Sequence, residues 1–327
     1  MSRVHAVRIH KNGGPEELRY EEVEIGEPGP GEARVRHTAI GLNFTDVHHR
    51  TGRYPLPQFP HVIGMETAGV VEAVGAGVTE IRPGDRVAYA SEKPRSYSQA
   101  TVMPIGRLVT LPDFIDDETA AAVILKGLTA QYLIRSAHPV SAGETILIQA
   151  AAGGVGLIMC QWAAALGATV IGTVGTQEKA ELARAHGCTH PIVYSQQDFV
   201  AEVARITDGE KLPVVYDSVG RDTFLKSLDC LKVRGLMVSF GNASGAPEPF
   251  PPNMLAQKGS LYLTRPTLYH YIASRQQLEQ SAGELFDMVT GGKVKIEVQQ
   301  RFPLAEAAEA HRALQARKTT GSTVLTI

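Results

Sequence analysis

Ala151, Gly153 and Gly156 carry the most readable chemistry in this chain. They lie between Thr145–Gln149, whose residues predict a strand, and an apolar-periodic run that predicts a helix. In that context A-x-G-x-x-G is a cradle for a diphosphate. The alanine at the first position still permits a tight turn. Gly153 lets backbone approach a pyrophosphate, and Gly156 lets the helix pack closely on the strand. The free N–H groups and positive dipole end of the helix favour an anion there. Ala152, Gly154 and Val155 complete the loop. A site for NAD places Asp or Glu about 20 residues further on, against the ribose 2′-hydroxyl. Counting from Gly156 reaches Gly175 and Thr176, neither of them acidic. Gly175 leaves room for a 2′-phosphate. Lys179 is placed to pair with it, or is a solvated surface lysine, and Glu178 points elsewhere on the same helix. The missing acid favours NADPH.

The elements that must hold these residues follow a simple pattern. Strand candidates Thr145–Gln149, Thr169–Val174, Pro191–Tyr194, Pro213–Asp217, Leu236–Phe240 and Leu261–Thr264 alternate with helical segments, which predicts a doubly wound parallel sheet. Val155, Ile158, Met159, Trp162, Ala163 and Leu166 form one apolar helix face that stops at Gly167. A second helix is capped by Thr176 and ends at Gly187. Before Leu125 the chain reads as short strands between turns such as Gly13-Gly14-Pro15 and Pro83-Gly84-Asp85, with Ala33–Ala39 half-buried, a mostly antiparallel β domain. After Pro266, two helical patterns and a terminal strand, Ser322–Leu325, return to that domain. The expected domains are therefore 1–125 with 267–327, and 126–266.

Composition bounds the partners. The 327 residues suit about two domains. A net charge of −2 and no aromatic-basic stripe argue against nucleic acid. No apolar run approaches the ~20 residues of a membrane span, and no apolar leader precedes the fold. Cys160, Cys188 and Cys230 are few, odd in number and far apart, which suits core packing in a reducing cytoplasm.

The runs Pro60–Val71, Val74-Gly75 and Pro83–Val87 resemble the N-terminal domain of medium-chain dehydrogenases/reductases. Gly143–Gln161 resembles the signature of the zinc-independent NADPH:quinone oxidoreductase (ζ-crystallin-like) branch, with Ala164 the one departure. Leu125–Thr129, Tyr216–Asp222 and Gly235–Asn242 extend the likeness to essentially the whole chain. The resemblance implies an α/β protein: a Rossmann doubly wound parallel sheet plus a GroES-like, mostly antiparallel β domain holding the substrate cleft. It also implies a homodimer paired through Rossmann edge strands. Asn43, Tyr54 and Thr129 match residues at the nicotinamide end. Gly175, Lys179 and Tyr194 match the 2′-phosphate pocket. Phe240, Gly241, Asn242, Arg265 and Arg317 match further cofactor contacts. His48 departs from a tyrosine common in the family. Zinc-dependent members carry Cys at the position of Asn43 and His at that of Met65, so of the set only Glu66 survives. A catalytic zinc needs about three protein ligands, and none is expected here. His48, His49 and His61 read as surface or packing residues.

Without a metal, the substrate must already be electrophilic: a quinone or another conjugated acceptor, reduced by hydride or by one-electron transfer. Tyr54 either stacks on a planar ring or donates a proton, or is a rim aromatic excluding water. Asp46 reads as a buried partner for backbone and Lys126 as a surface or hinge charge. Asp217 either faces a ligand or caps Ser218–Asp222. The alternatives are an NADPH-dependent enone or 2-alkenal reductase, and a non-catalytic NADPH-binding, RNA-binding or crystallin-like protein.

Overall fold

The computed structural model describes residues 2–327. It forms two compact units. One comprises the chain up to Lys126 with Ser274–Ala282 and Ile296–Ile327; the other comprises Gly127–Ala273 with Gly283–Lys295. The expected seams at 125/126 and 266/267 differ most in the second half. Residues 283–295 group with the second unit. There Gln131 donates to Glu284 (3.0 Å), and Gln161 donates to the Lys295 carbonyl (3.1 Å) while accepting its amide (2.8 Å).

The first unit contains β1 (Ser2–Ile9), β2 (Arg19–Ile25), β3 (Glu32–Gly41), α1 (Phe44–Thr51), β4 (His61–Val62), β5 (Glu66–Val74), β6 (Arg86–Ala90), β7 (Ala100–Pro104) and β8 (Val109–Thr110). The unit boundary falls inside α2 (Asp117–Tyr132). The second unit then alternates: β9 (Thr145–Ile148), α3 (Gly154–Ala165), β10 (Thr169–Val174), α4 (Gln177–Ala185), β11 (His190–Val193), α5 (Phe199–Ile206), β12 (Leu212–Asp217), α6 (Phe224–Asp229), β13 (Leu231–Ser239), α7 (Asn253–Gln257) and β14 (Tyr262–Thr264). After α8 (Leu268–Tyr271) and α9 (Arg275–Thr290), the chain ends in β15 (Val298–Pro303), α10 (Ala307–Gln315) and β16 (Ser322–Thr326).

In the second unit the sheet order is β11-β10-β9-β12-β13-β14, and every pairing is parallel. This is the doubly wound order that reverses between its first and fourth strands. Helices cover a parallel sheet on both faces, so its strands are apolar without alternation. β9 is Thr-Ile-Leu-Ile, and β10 is buried from Val170 to Val174. Leu147, Ile171, Ile192, Val215 and Met237 form the core with Phe199, Val203, Phe224 and Leu228. The apolar side of α3 is wider than one stripe, since Leu157 and Cys160 are buried as well.

In the first unit, β2-β1-β4 make a small antiparallel sheet. The larger sheet runs β15-β16-β3-β5-β6-β8, with β7 also on β3. Only β15 and β16 pair in parallel, so this unit is mostly antiparallel β. β3 alternates between buried and less buried residues, as a strand with one face on the core does.

Candidate active site

The β9–α3 turn is built on polar groups within apolar strands. Its strained residue is Ala150, at φ +57°, one position before the A-x-G-x-x-G run. The amide of Ala150 donates to the Thr173 hydroxyl (3.3 Å), which donates to Gln149 Oε1 (2.5 Å). Gln149 Nε2 donates to Ser227 Oγ (3.0 Å), and Ser227 donates to Asp217 Oδ2 (3.0 Å). Asp217 is fully buried and accepts three further bonds, from Val219 N (2.8 Å), Gly220 N (2.9 Å) and Thr223 Oγ1 (2.7 Å). Burial pushes its carboxyl up, and these donors act against the shift. Asp217 therefore secures the 218–223 segment. The sequence reading missed Gln149, Thr173, Thr223 and Ser227; the usable signal was a polar residue inside or ending each apolar strand.

Gly156 lies against the same turn. A Cβ there would sit 2.4 Å from the Ala150 carbonyl oxygen and 2.7 Å from that of Ala151. Only glycine lets α3 start this close to β9, with its first amides open toward an anion.

Other nominated residues collect at the carboxyl ends of the parallel strands. Gly175 follows β10 and Tyr194 follows β11; a Cβ on Gly175 would meet the Tyr194 hydroxyl at 2.9 Å. Thr176 caps α4 by accepting the Lys179 amide (3.3 Å), which places half-buried Lys179 in the first turn. Phe240, Gly241 and Asn242 follow β13, where the Phe240 amide donates to the Asp217 carbonyl (2.8 Å). Exposed Arg265 follows β14. Thr129 lies in α2. Arg317, just after α10, is exposed with φ +58° and belongs to the first unit.

In the first unit the structure groups Asn43, His48 and Tyr54 around α1. Asn43 caps the helix, and its amide N–H donates to Asp46 Oδ2 (2.9 Å). His48 is buried and meets Phe44 and Tyr54 edge-on, at centroid distances of 5.4 and 5.0 Å. Half-buried Tyr54 also meets His49 (5.7 Å). Behind α1, Tyr97 OH donates to Asp46 Oδ2 (3.0 Å) and accepts from His311 Nε2 (3.0 Å); His311 Nδ1 faces Arg50 Nη1 (3.2 Å). Lys126, expected as a surface or hinge charge, is not on the surface, and it stands where the chain passes from the first unit to the second. It is buried and ion-paired with fully buried Glu66, which also accepts Asn43 Nδ2 (2.8 Å) and Leu125 N (2.7 Å).

These buried groups predict a pH dependence. Burial pushes His37 and His49 down to about 4; burial and then the Arg50 charge push His311 to about 3. Histidine in an unfolded chain titrates near 6.5, so their stabilisation is complete above that pH and drains as pH falls toward 4, at up to about 1.4 kcal/mol per unit each. Asp46 works oppositely. Burial raises it to about 7, so its cost is absent below about pH 4 and grows to pH 7. Stability, and with it the melting temperature, should therefore fall from pH 7 to pH 5, and Asp46→Asn, lacking the counter-slope, should lose roughly 2 kcal/mol more stability over that range. Equal slopes in melts of both proteins would remove Asp46 from this account.

Two family models match the chain: the alcohol dehydrogenase GroES-like domain over residues 29–142 and zinc-binding dehydrogenase over residues 154–286. A quinone oxidoreductase of Pseudomonas aeruginosa is 56% identical over 313 residues, covering 96% of each chain. The chain belongs to the quinone oxidoreductase family of medium-chain dehydrogenases/reductases. Its relatives within and near that family include a 2-haloacrylate reductase of a Burkholderia species, 48% identical with 98% of each chain covered. The crystal structure of Escherichia coli quinone oxidoreductase complexed with NADPH matches with a TM-score of 0.97 and 47% identity, over 99% of this chain and 100% of that one.

The zinc named by one family model does not fit these residues. Both Glu66 oxygens are already engaged, one by an ammonium group, and the neighbouring amide of Asn43 and thioether of Met65 are poor ligands for Zn²⁺. Among the described residues no three His, Cys, Asp or Glu side chains gather as a ligand set. The residues of the second unit do fit a dinucleotide: glycine at 156 lets α3 start against the Ala150 and Ala151 carbonyls, with its first amides turned to an anion, and glycine at 175 lets the Tyr194 hydroxyl close on the end of β10.

Proposed function

We propose that this protein is an NADPH-dependent, zinc-independent oxidoreductase that reduces quinones. The observation that carries this reading is the end of β10. There glycine and threonine stand where an NAD site carries its acid, Lys179 and Tyr194 are beside them, and the nearest acid, Glu178, is held by the Thr176 side chain, in a chain closely related to an NADPH-complexed quinone oxidoreductase. Ala152–Gly156 at the start of α3 would hold the pyrophosphate, and Gly175, Lys179 and Tyr194 would take the 2′-phosphate. Phe240, Gly241, Asn242, Arg265 and Arg317 are further cofactor contacts, with Asn43 and Thr129 at the nicotinamide end.

When bound, NADPH supplies the hydride. The chain's own contribution is orientation and exclusion of water, which suffices for an acceptor that is already electrophilic. Asn43 offers an amide fixed by Glu66 and the α1 cap. Tyr54, braced on His48 and His49, offers a ring edge and a hydroxyl. A second reading, reduction of another conjugated electrophile, is favoured by the 2-haloacrylate reductase among the relatives.

Homodimer formation through β14 is supported by that strand's place at the sheet edge and by exposed Tyr262, Leu263 and nearby Val233. Three free, buried cysteines suit a cytoplasmic setting, and no described helix is long and apolar enough to cross a membrane.

Turnover of 1,4-benzoquinone, 9,10-phenanthrenequinone and a 2-alkenal with each nicotinamide cofactor tests the proposal. We expect quinone turnover with a KM for NADPH at least about 10-fold below that for NADH, a difference of roughly 1.4 kcal/mol. A lower KM for NADH overturns the cofactor assignment. Turnover of the alkenal alone selects the second reading.

A further inference from the structure

We propose that Lys126 is a built-in cation that neutralises Glu66 and, through it, orients Asn43, beside the positions where zinc-dependent members of the superfamily carry metal ligands. All the groups involved lie in the first unit. Glu66 is fully buried, and a carboxylate there must be paired or give up its charge. Its Oε2 accepts the Leu125 amide (2.7 Å). Its Oε1 accepts both the Lys126 ammonium and the Asn43 side-chain amide, the latter at 2.8 Å.

The shared oxygen decides the geometry. A carboxylate only accepts, so Glu66 selects the NH₂ end of Asn43, and a flipped amide would set two acceptors against each other. Lys126 and the Asn43 NH₂ meet on the same oxygen, so the ammonium fixes the acceptor that orients the amide. It also cancels a negative charge that would oppose charge building on a reduced oxygen. Lys126 is thus a positioning residue acting through Glu66. Only the kinetic consequence rests on the quinone reductase reading.

The test compares full-length parent, Lys126→Met, Lys126→Arg and Lys126→Met/Glu66→Gln. The readouts are thermal melts and turnover of 1,4-benzoquinone with NADPH. Lys126→Met should lower kcat at least about 10-fold with the NADPH KM within about 2-fold, because orientation is lost while cofactor binding is not. Melting temperature should fall in the same variant, because the buried carboxylate loses its partner. Lys126→Arg should restore kcat to within about 3-fold, and the double variant, neutral at both sites, should recover at least about 5-fold over Lys126→Met.

A Lys126→Met enzyme within 2-fold of the parent in kcat, or a double variant no better than the single one, overturns the proposal. Should Lys126→Met fail to fold, a folded double variant supports charge compensation and an unfolded one refutes it. If the parent does not turn over quinone, the functional reading fails instead. The melts then decide the matter alone: a loss of melting temperature in Lys126→Met that the double variant recovers supports the Lys126 assignment, and no recovery overturns it.

Discussion

Gly156→Val should raise the dissociation constant for NADPH at least about 100-fold, because a helix-terminus phosphate site depends on close helix–strand packing. The added Cβ would meet the carbonyl oxygens of Ala150 and Ala151 at 2.4 and 2.7 Å, both of them backbone atoms that no rotamer change can move aside. Relief requires the start of α3 to withdraw from β9, which takes its free amides away from the phosphates. Gly153→Ala separates packing from access. Its Cβ would lie 3.2 Å from the Ala150 oxygen, a contact that small shifts relieve, so the unit should fold while the approach to the pyrophosphate is obstructed. Fluorescence titration with NADPH, alongside circular dichroism of each variant, reads both effects. A folded Gly156→Val protein binding within 3-fold of the parent would remove the cradle from this account.

The parts of the molecule that were readable in sequence share a physical cause. In the second unit, burial on both faces makes β9 and β10 mostly apolar without alternation, and Gly167 and Gly187 end α3 and α4 in left-handed conformations, at φ +86° and +88°. In the first unit α1 was not foreseen. Its buried residues are Asp46, Val47, His48, His49 and Arg50, so its inward face is written in polar side chains and shows no apolar period. β15, Val-Gln-Gln-Arg-Phe-Pro, is an edge strand with a similarly polar texture. Lys126 was read as a surface or hinge charge, although its surroundings in sequence carried a signal. A lone charge in the buried run from Ala120 to Leu128 signals a paired group. Its partner, Glu66, lies 60 residues away, a distance local patterns do not span. The A-x-G-x-x-G cradle was visible because its chemistry is local. The network behind Ala150 was not, because it joins the ends of β9, β10 and β12 to α6.

That network carries the second large effect. Asp217→Ala should destabilise the second unit by about 3–5 kcal/mol, the range for removing one partner from a buried, charge-assisted network. Val219 N, Gly220 N, Thr223 Oγ1 and Ser227 Oγ would all lose the acceptor they now share. The two backbone amides cannot turn elsewhere, and the hydroxyls stay buried. Asp217→Asn should cost less, since its carbonyl still accepts from the amides and its NH₂ can donate to the hydroxyls after they rotate. The damage should reach the cofactor site as well. Ser227 anchors Gln149, Gln149 anchors Thr173, and Thr173 holds the amide of strained Ala150. Loosening that chain lets Ala150 leave φ +57°, and the turn that presents Gly153–Gly156 opens with it. Melting temperature and NADPH affinity should therefore fall together in Asp217→Ala, while NADPH should restore part of the lost melting temperature by binding only the folded form. A variant that melts like the parent, or one that is destabilised yet binds NADPH unchanged, would show that the turn holds its conformation without Asp217.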